Sequence, residues 1–162
     1  MIRNSRELGD NLKLIINRLS KNQNLVKLLY YTDKDPLGHE DLKQETIDNC
    51  VINKLIKYIP RIGPKETANS LIALRVTKGV PDEENNEFRI VNISIEIFVP
   101  LTQWEIKNVN LRPFAIMGEI ENSLKGKSIN GLGKMKYLGF DLNFLTEEIS
   151  CYELNFRLET YE

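Results

Sequence analysis

The longest alternation of apolar and polar residues in the chain runs from Phe88 to Val99. Asn92, Ser94 and Glu96 stand between β-branched residues, whose stiff side chains suit a pleated strand. This period of two predicts the longest strand of the protein, with one face in a core and one face open to water or to a partner. The predicted core face consists of Val91, Ile93, Ile95, Ile97 and Val99.

Apolar residues at helical spacing predict four helices. The first stripe covers residues 8–19, and the second covers 25–30 with Asn24 as its predicted N-cap. A third stripe at 44–58 includes β-branched residues, which are weaker helix formers. The clearest helix is 113–124, because it opens with a proline and repeats an apolar residue every four positions.

Two pairs of alternating segments predict two hairpins on either side of that last helix. The first pair is residues 70–77 and the long strand, joined by the polar linker 78–86, which is predicted to be an exposed loop. The second pair is 138–144 and 152–158, each with an apolar residue at every other position.

The predicted element order is therefore α-α-α-β-β-α-β-β. Because hairpin strands are antiparallel, the order predicts an α+β fold: a mostly antiparallel four-stranded sheet with helices gathered on one face. No repeat or low-complexity tract divides the chain, so residues 1–162 are predicted to form a single domain. Residues 1–58 would be mainly helical, and residues 68–162 would hold the sheet and one long helix.

Net charge, cysteine content and hydropathy limit the classes of function that the chain can have. The net charge of −1 and the isoelectric point near 6.0 give no general attraction to nucleic acid or to anionic membranes. Cys50 and Cys151 lie in apolar surroundings without a CxxC motif, which is typical of reduced intracellular thiols. Neither a signal peptide nor an apolar run of membrane-spanning length is recognisable. These features predict a soluble protein made in a cytoplasm.

The one cluster of hard metal ligands lies after the second predicted helix. Asp33, Asp35 and Gly38 match three positions of a calcium-binding loop. Leu37 and Gln44 occupy two positions where that loop needs oxygen ligands, so a solvated turn is the preferred interpretation. No metal ion or cofactor is predicted.

The other candidate sites for chemistry are equally incomplete. His39 is the only histidine, and a zinc site would have to combine it with Cys50 and Cys151, which are far apart in the sequence. The glycine-rich segment 126–133 follows a helix and precedes a strand, whereas a phosphate loop needs the reverse order. No catalytic residue is predicted, and the chain is not expected to be an enzyme.

Polar residues beside the long strand are the candidates for contact with a partner. The acidic residues of the predicted loop are not expected to act as paired catalytic carboxylates, because an exposed loop does not desolvate them enough to shift a pKa. They could form a contact patch, or they could add only to solubility. The polar face of the long strand would meet a lumen or a neighbouring subunit. The predicted contact residues are Asp82, Glu83, Glu84, Glu87, Asn92, Ser94 and Glu96.

Two parts of the chain resemble a known group of proteins. The first is Asn22–Leu37, with its Leu-Leu-Tyr-Tyr and Asp-x-Asp-Pro-Leu sequences. The second is the succession of segments 93–99, 111–120 (opened by Leu-Arg-Pro) and 131–138. Together they resemble tail terminator or tail-completion proteins, which belong to the head–tail neck of tailed bacteriophages. The helical N-terminal third is long for a minimal tail terminator.

The resemblance implies a non-enzymatic structural protein of the virion neck, assembled in the host cytoplasm. It would form a homo-oligomeric ring, expected to be a hexamer, that ends tail-tube polymerisation. Its partners would be the tail tube protein and the head connector, with DNA passing through the lumen without sequence-specific binding and no membrane involved. The alternatives are another head–tail connector or adaptor ring, or a small cytoplasmic α+β enzyme or nucleic-acid-binding module.

Overall fold

The structure, a computed structural model, describes residues 5–58, 69–84, 89–108, 110–129 and 133–159. These ranges contain four α-helices, the third of which continues as one π-helical turn, Ile47–Val51. Single 3-10 turns lie at Pro36–Gly38 and Leu101–Gln103. The helices are α1 (Glu7–Ser20), α2 (Gln23–Tyr30), α3 (Gln44–Thr46) and α4 (Arg112–Leu124).

The described strands form two sheets. A six-stranded sheet has the order β1-β2-β3-β8-β7-β6 and curls into a half-barrel, while β4 and β5 make a separate pair. Only the β1–β2 pairing is parallel. The strands are β1 (Ile56–Lys57), β2 (Leu71–Pro81), β3 (Arg89–Pro100), β4 (Glu105–Ile106), β5 (Asn110–Leu111), β6 (Ser128–Ile129), β7 (Gly133–Leu145) and β8 (Ile149–Glu159).

The prediction of a four-stranded, mostly antiparallel sheet is wrong. The structure is α+β, but its main sheet is mixed and has six strands, because β1 and β6 extend the four long ones. Each added strand has two residues, which is too short to show a period of two.

Helical structure after Gln44 is also shorter than the sequence predicts. The helix ends at Val51, and Ile52 is already extended. Residues 56–57 were expected to be helical but pair with β2, through Ile56 with Ile72 and Lys57 with Ala73. Tertiary strand pairing therefore overrides the apolar spacing there. In the same way, β2 continues to Pro81 through part of the predicted loop.

Strand β3 is the central long strand, between β2 and β8. Its odd-numbered residues from Val91 to Val99 are buried, as the alternation predicts. They belong to one hydrophobic cluster that also includes Ile116, Ile120 and Leu124 of α4. Burial of β-branched side chains from the sheet against this helix is the main apolar contact between the two layers.

Asn22, rather than Asn24, caps α2 and fastens it to α4. Its side-chain oxygen accepts a hydrogen bond from the backbone of Leu25 at 3.1 Å. Its amide nitrogen donates to Glu119 Oε2 and to Ser123 Oγ, both at 2.9 Å. The predicted cap was displaced by two positions because both asparagines precede the same apolar stripe, and only the packing of α4 distinguishes them.

Arg112 is completely buried and joins the two segments that carry the sequence resemblance. Its guanidinium donates to the carbonyl oxygens of Tyr31 at 2.8 Å and Asp33 at 2.7 Å, and also to that of Leu28. Its Nε donates to the carbonyl of Gln103 at 2.8 Å. A cation at the C-terminal end of α2 thus satisfies carbonyl groups that the helix leaves without partners. Burial lowers the pKa of Arg112, an effect that the charge of Asp33 opposes.

Candidate interaction surfaces

The outer edge of β7 has more exposed large apolar side chains than any other described strand or helix. β7 pairs with β8 along its length, but with β6 only at Gly133 and Lys134. Residues 136–145, which we call the β7 edge, have no described strand on their outer side. Its large apolar side chains are between two-fifths and three-fifths exposed: Leu138 43%, Phe140 52%, Leu142 51%, Phe144 42% and Leu145 58%.

Two β-bulges explain why apolar residues occur on both faces of the β7 edge. The pairing with β8 shifts between Tyr137 and Gly139 and again between Leu142 and Phe144. Gly139 has φ +116°, a conformation that side chains with a Cβ rarely adopt. The sequence predicted an ordinary alternating strand with one buried face. It could not show this exposure, because that depends on the place of β7 near the margin of the sheet, two strands away from β3.

An aromatic cluster continues this surface toward α4. The ring of Tyr152 lies 5.4 Å from that of Phe114 and 6.2 Å from that of Phe140. Trp104 lies 6.3 Å from Phe114, and its Nε1 donates to Ser150 Oγ at 3.0 Å. Phe114 is 41% exposed. The exposed rings are thus held by neighbouring rings and form a preorganised surface instead of isolated side chains.

Among the described strands, the opposite margin of the sheet is a second edge that is open along most of its length. The short strand β1 pairs only with Ile72 and Ala73 of β2. Residues 74–81, which we call the β2 edge, have β3 on one side and no described strand on the other. Arg75 and Lys78 make this edge basic. In the described part of the chain, the sheet therefore has two open edges, of which β7 is mainly apolar and β2 is basic.

The predicted acidic contact residues continue from the β2 edge. Asp82 accepts a hydrogen bond from the backbone of Glu84 at 2.8 Å, which forms a local turn. Glu83 and Glu84 are exposed, and Glu87 lies outside the described residues. The structure places three of the four acidic side chains directly after a free strand edge, a relation that the sequence alone does not indicate.

The polar residues of β3 contact polar side chains on the neighbouring strands of the same subunit. The Ser94 hydroxyl donates to the Glu153 carboxylate, and Asn92 accepts from Arg157 Nε at 3.3 Å. Glu96 is in close electrostatic contact with Arg75, with Nε and Oε1 2.6 Å apart, although this nitrogen has no hydrogen-bond partner. Cross-strand side chains leave Ser94 no exposed surface in the subunit, and contact of this face with a lumen or a neighbour stays a prediction.

Cys151 lies on the same face and is chemically inert. Its thiol is buried and lies 3.5 Å from Glu96 Oε2. Burial, together with the negative charge of Glu96, raises the pKa of Cys151 to about 12. Because the thiolate is the reactive form, this cysteine is not a candidate nucleophile.

This environment predicts selective labelling of the two cysteines. In native protein treated with iodoacetamide at about pH 8, we expect Cys50, which is partly exposed, to react at least about a hundredfold faster than Cys151. Peptide mass spectrometry over time measures both rates, and urea-unfolded protein is the control in which they converge. Equal rates in the native protein would contradict the buried environment of Cys151.

The loop after α2 is organised by its own side chains. Asp33 accepts from the backbone of Asp35 at 2.8 Å and pairs with His39 Nε2 at 2.6 Å, and the His39 ring stacks on Tyr31 at 3.8 Å. The hydrogen bond from Asp35, and then that from His39, lowers the pKa of Asp33. Across the described ranges, no group of three or more His, Cys, Asp or Glu side chains is placed to hold a metal ion. None of the described helices is both long and apolar enough to cross a membrane.

Comparison with known proteins assigns the chain to a family. No curated protein matches the chain. A family model described as YomW matches residues 22–158, which include both segments of the resemblance and every described strand and helix except α1 and the last residue of β8. The chain therefore belongs to the YomW family, whose name derives from a Bacillus phage.

Proposed function

We propose that this protein is a non-enzymatic subunit of a ring in the neck of a tailed phage, acting as the tail terminator. In this role the ring ends polymerisation of the tail tube and joins the tail to the head connector. The phage-derived family name and the two segments that resemble neck proteins support the location. The geometry of the sheet supports the assembly.

The exposure of the β7 edge is the main support for assembly of the subunit into a larger structure. A long free edge with large exposed apolar side chains is a template for aggregation, and isolated proteins usually protect such edges with charges, prolines or covering elements. The β7 edge contains no proline, and its two charged residues are Lys136 and Asp141. An edge of this kind fits a subunit whose partner covers it.

A ring is the form of assembly that suits two different edges. Contact between unlike surfaces is heterologous, and it closes into a ring when the rotation between neighbours divides a full turn. We expect a hexamer, with the tail tube protein and the head connector on its two sides. The acidic residues Asp82, Glu83 and Glu84, which follow the β2 edge, would lie at the contact with a neighbouring subunit.

The location is tested by inactivating this gene in a phage that encodes it. We expect filled heads without attached tails and free tails of irregular length, observed by electron microscopy, and joined particles again when the gene is supplied from a plasmid. Free tails of uniform length would favour a connector or adaptor ring over a terminator. Normal joined particles without the gene would contradict a neck role.

The assembly is tested by polar substitution on the β7 edge. We expect the double variant Phe140→Ser, Leu142→Ser to lower the apparent association constant of the oligomer at least about tenfold, because it removes two exposed apolar side chains from the interface. Size-exclusion chromatography with light scattering measures the change. Leu37→Ser, at a side chain 42% exposed in the loop after α2, is the matched control. Equal loss in both proteins would contradict an interface at β7.

A further inference from the structure

We propose that the β7 edge of one copy pairs, antiparallel, with the β2 edge of the next copy, in the register that places Lys78 opposite Asp141. This inference rests on the proposed function, and it names the partner surface and the alignment of the two strands. The interface would be a continuous sheet that passes from subunit to subunit.

The two edges are matched in length. β1 covers β2 up to Ala73, and β6 covers β7 up to Lys134, so each short strand blocks one end of a margin and leaves the rest open. The β2 edge, residues 74–81, fits alongside residues 138–145 of the β7 edge. In such a pair, backbone groups that face away from the neighbouring strand of their own subunit would form hydrogen bonds across the interface.

Strand directions make the pairing continuous. β2, β3, β8 and β7 are antiparallel at each step, so β2 and β7 run in opposite directions. A second copy that keeps the direction of its strands therefore brings an antiparallel β2 to the β7 of the first. The curl of the sheet adds a rotation at each step, which is what a closed ring needs.

Charge selects this direction. In antiparallel pairing, Lys78 of the β2 edge lies beside Asp141, and Arg75, which also contacts Glu96 in its own subunit, lies toward the hairpin turn with Glu147 and Glu148. Opposite charges on neighbouring strands stabilise a pair, whereas like charges destabilise it.

The other half of the interface shows the same complementarity with the signs reversed. The acidic residues 82–84, which follow the β2 edge, would lie beside Lys136, the first residue of the β7 edge. Parallel pairing of the same two segments, residues 74–81 with 138–145, would place these acidic residues beside Glu147 and Glu148. The charge pattern at this end of the interface therefore favours the antiparallel direction.

Side-chain orientation supports the register. Lys78 pairs with Asn92 and Asp141 pairs with Glu153, so both side chains belong to the polar face of the sheet. In the same register, Gly79 lies opposite Phe140, and no atom within 4 Å occupies the place of a Cβ at this glycine. An aromatic ring beside a glycine of a neighbouring strand fills such a gap and strengthens the pair.

Disulfide trapping tests the register directly. We use the variant Lys78→Cys, Asp141→Cys in a Cys50→Ser background, and oxidise the native protein. Directly opposed residues have Cβ atoms about 5 Å apart, and a shift of about 1 Å between the strands brings them within reach of a disulfide. Within one subunit β3 and β8 separate the two positions by three strand spacings, about 14 Å, so only a bond between copies can form.

We expect a ladder of covalent oligomers on a non-reducing gel. Dithiothreitol should reduce the disulfides and return the protein to a single monomer band. The matched control is Lys78→Cys, Lys136→Cys, whose positions are about five residues out of register and should give no ladder. Two results would contradict the proposed register without contradicting the ring. In the first, the Lys78→Cys, Asp141→Cys variant forms an oligomer of one defined size but gives no ladder. In the second, the control gives the stronger ladder.

Charge reversal supplies a second readout that does not depend on new cysteines. We expect Lys78→Glu and Asp141→Lys each to weaken oligomer formation at least about threefold, and the two together to restore it. Additive weakening in the double variant would overturn the pairing. A chain that stays monomeric at every concentration, alone and with the tail tube protein, would overturn the proposed ring as well.

Discussion

Replacement of Ile95 by Asp is expected to abolish folding of the subunit. Ile95 is completely buried at the centre of β3, between Leu74 of β2 and Leu154 of β8. Removal of its apolar side chain costs about 2–5 kcal/mol, and a buried carboxyl group without a partner adds a desolvation penalty of several more. The total is similar to the whole stability of a typical domain, about 5–15 kcal/mol.

Circular dichroism and urea titration measure this effect. The conservative control is Ile95→Val, which keeps the apolar contact and should lower the free energy of unfolding by only about 1 kcal/mol. The assembly assay provides a second check, because an unfolded subunit has no strand edges to offer. A cooperatively folded, assembling Ile95→Asp protein would contradict the register that buries the odd-numbered residues of β3.

Replacement of Arg112 by Met is expected to lower the free energy of unfolding by about 3–5 kcal/mol. Met retains an unbranched apolar stem but donates no hydrogen bond. The carbonyl groups of Leu28, Tyr31, Asp33 and Gln103 then lose the donor that satisfies them. Because these groups connect α2, the following loop and the start of α4, we expect the loss to loosen the packing of α2 on α4.

Two further variants separate the hydrogen bonds of Arg112 from its charge. Arg112→Lys keeps the positive charge but lacks the planar fork of five donors, so we expect an intermediate loss of stability. Lys54→Met removes an exposed cation and should change the free energy of unfolding by less than about 0.5 kcal/mol. If Arg112→Lys were as stable as the natural protein, charge alone would explain the site, and the geometry of the donors would be irrelevant.

Elements with many periodic residues were the ones that could be predicted. The strand from Val91 to Val99 buries its apolar face as expected, since nine alternating positions contain a strong signal for a half-buried strand. The helix at 113–124 is observed as Arg112–Leu124, where proline near the start and Gly126 at φ +67° after the end mark the limits. These signals depend only on residues close in the sequence.

Features created by distant pairing could not be predicted. β1 and β6 have two residues each, and their strand character comes from partners at Ile72, Ala73 and the start of β7. The same holds for Arg112, whose arginine side chain gives no local sign that it will be buried among carbonyl groups 9 to 84 positions away. Sequence spacing does not show which polar groups will meet inside a core.

The candidate surfaces illustrate the same division. The sequence by itself determined the residue types: alternating apolar residues on β7, basic residues on β2 and an acidic run after it. Only the tertiary structure decided that β7 and β2 lie near opposite margins of one sheet, each covered at one end by a two-residue strand. The physical reason is that an apolar alternation reports a preference for burial, whereas strand order decides whether the subunit itself provides that burial.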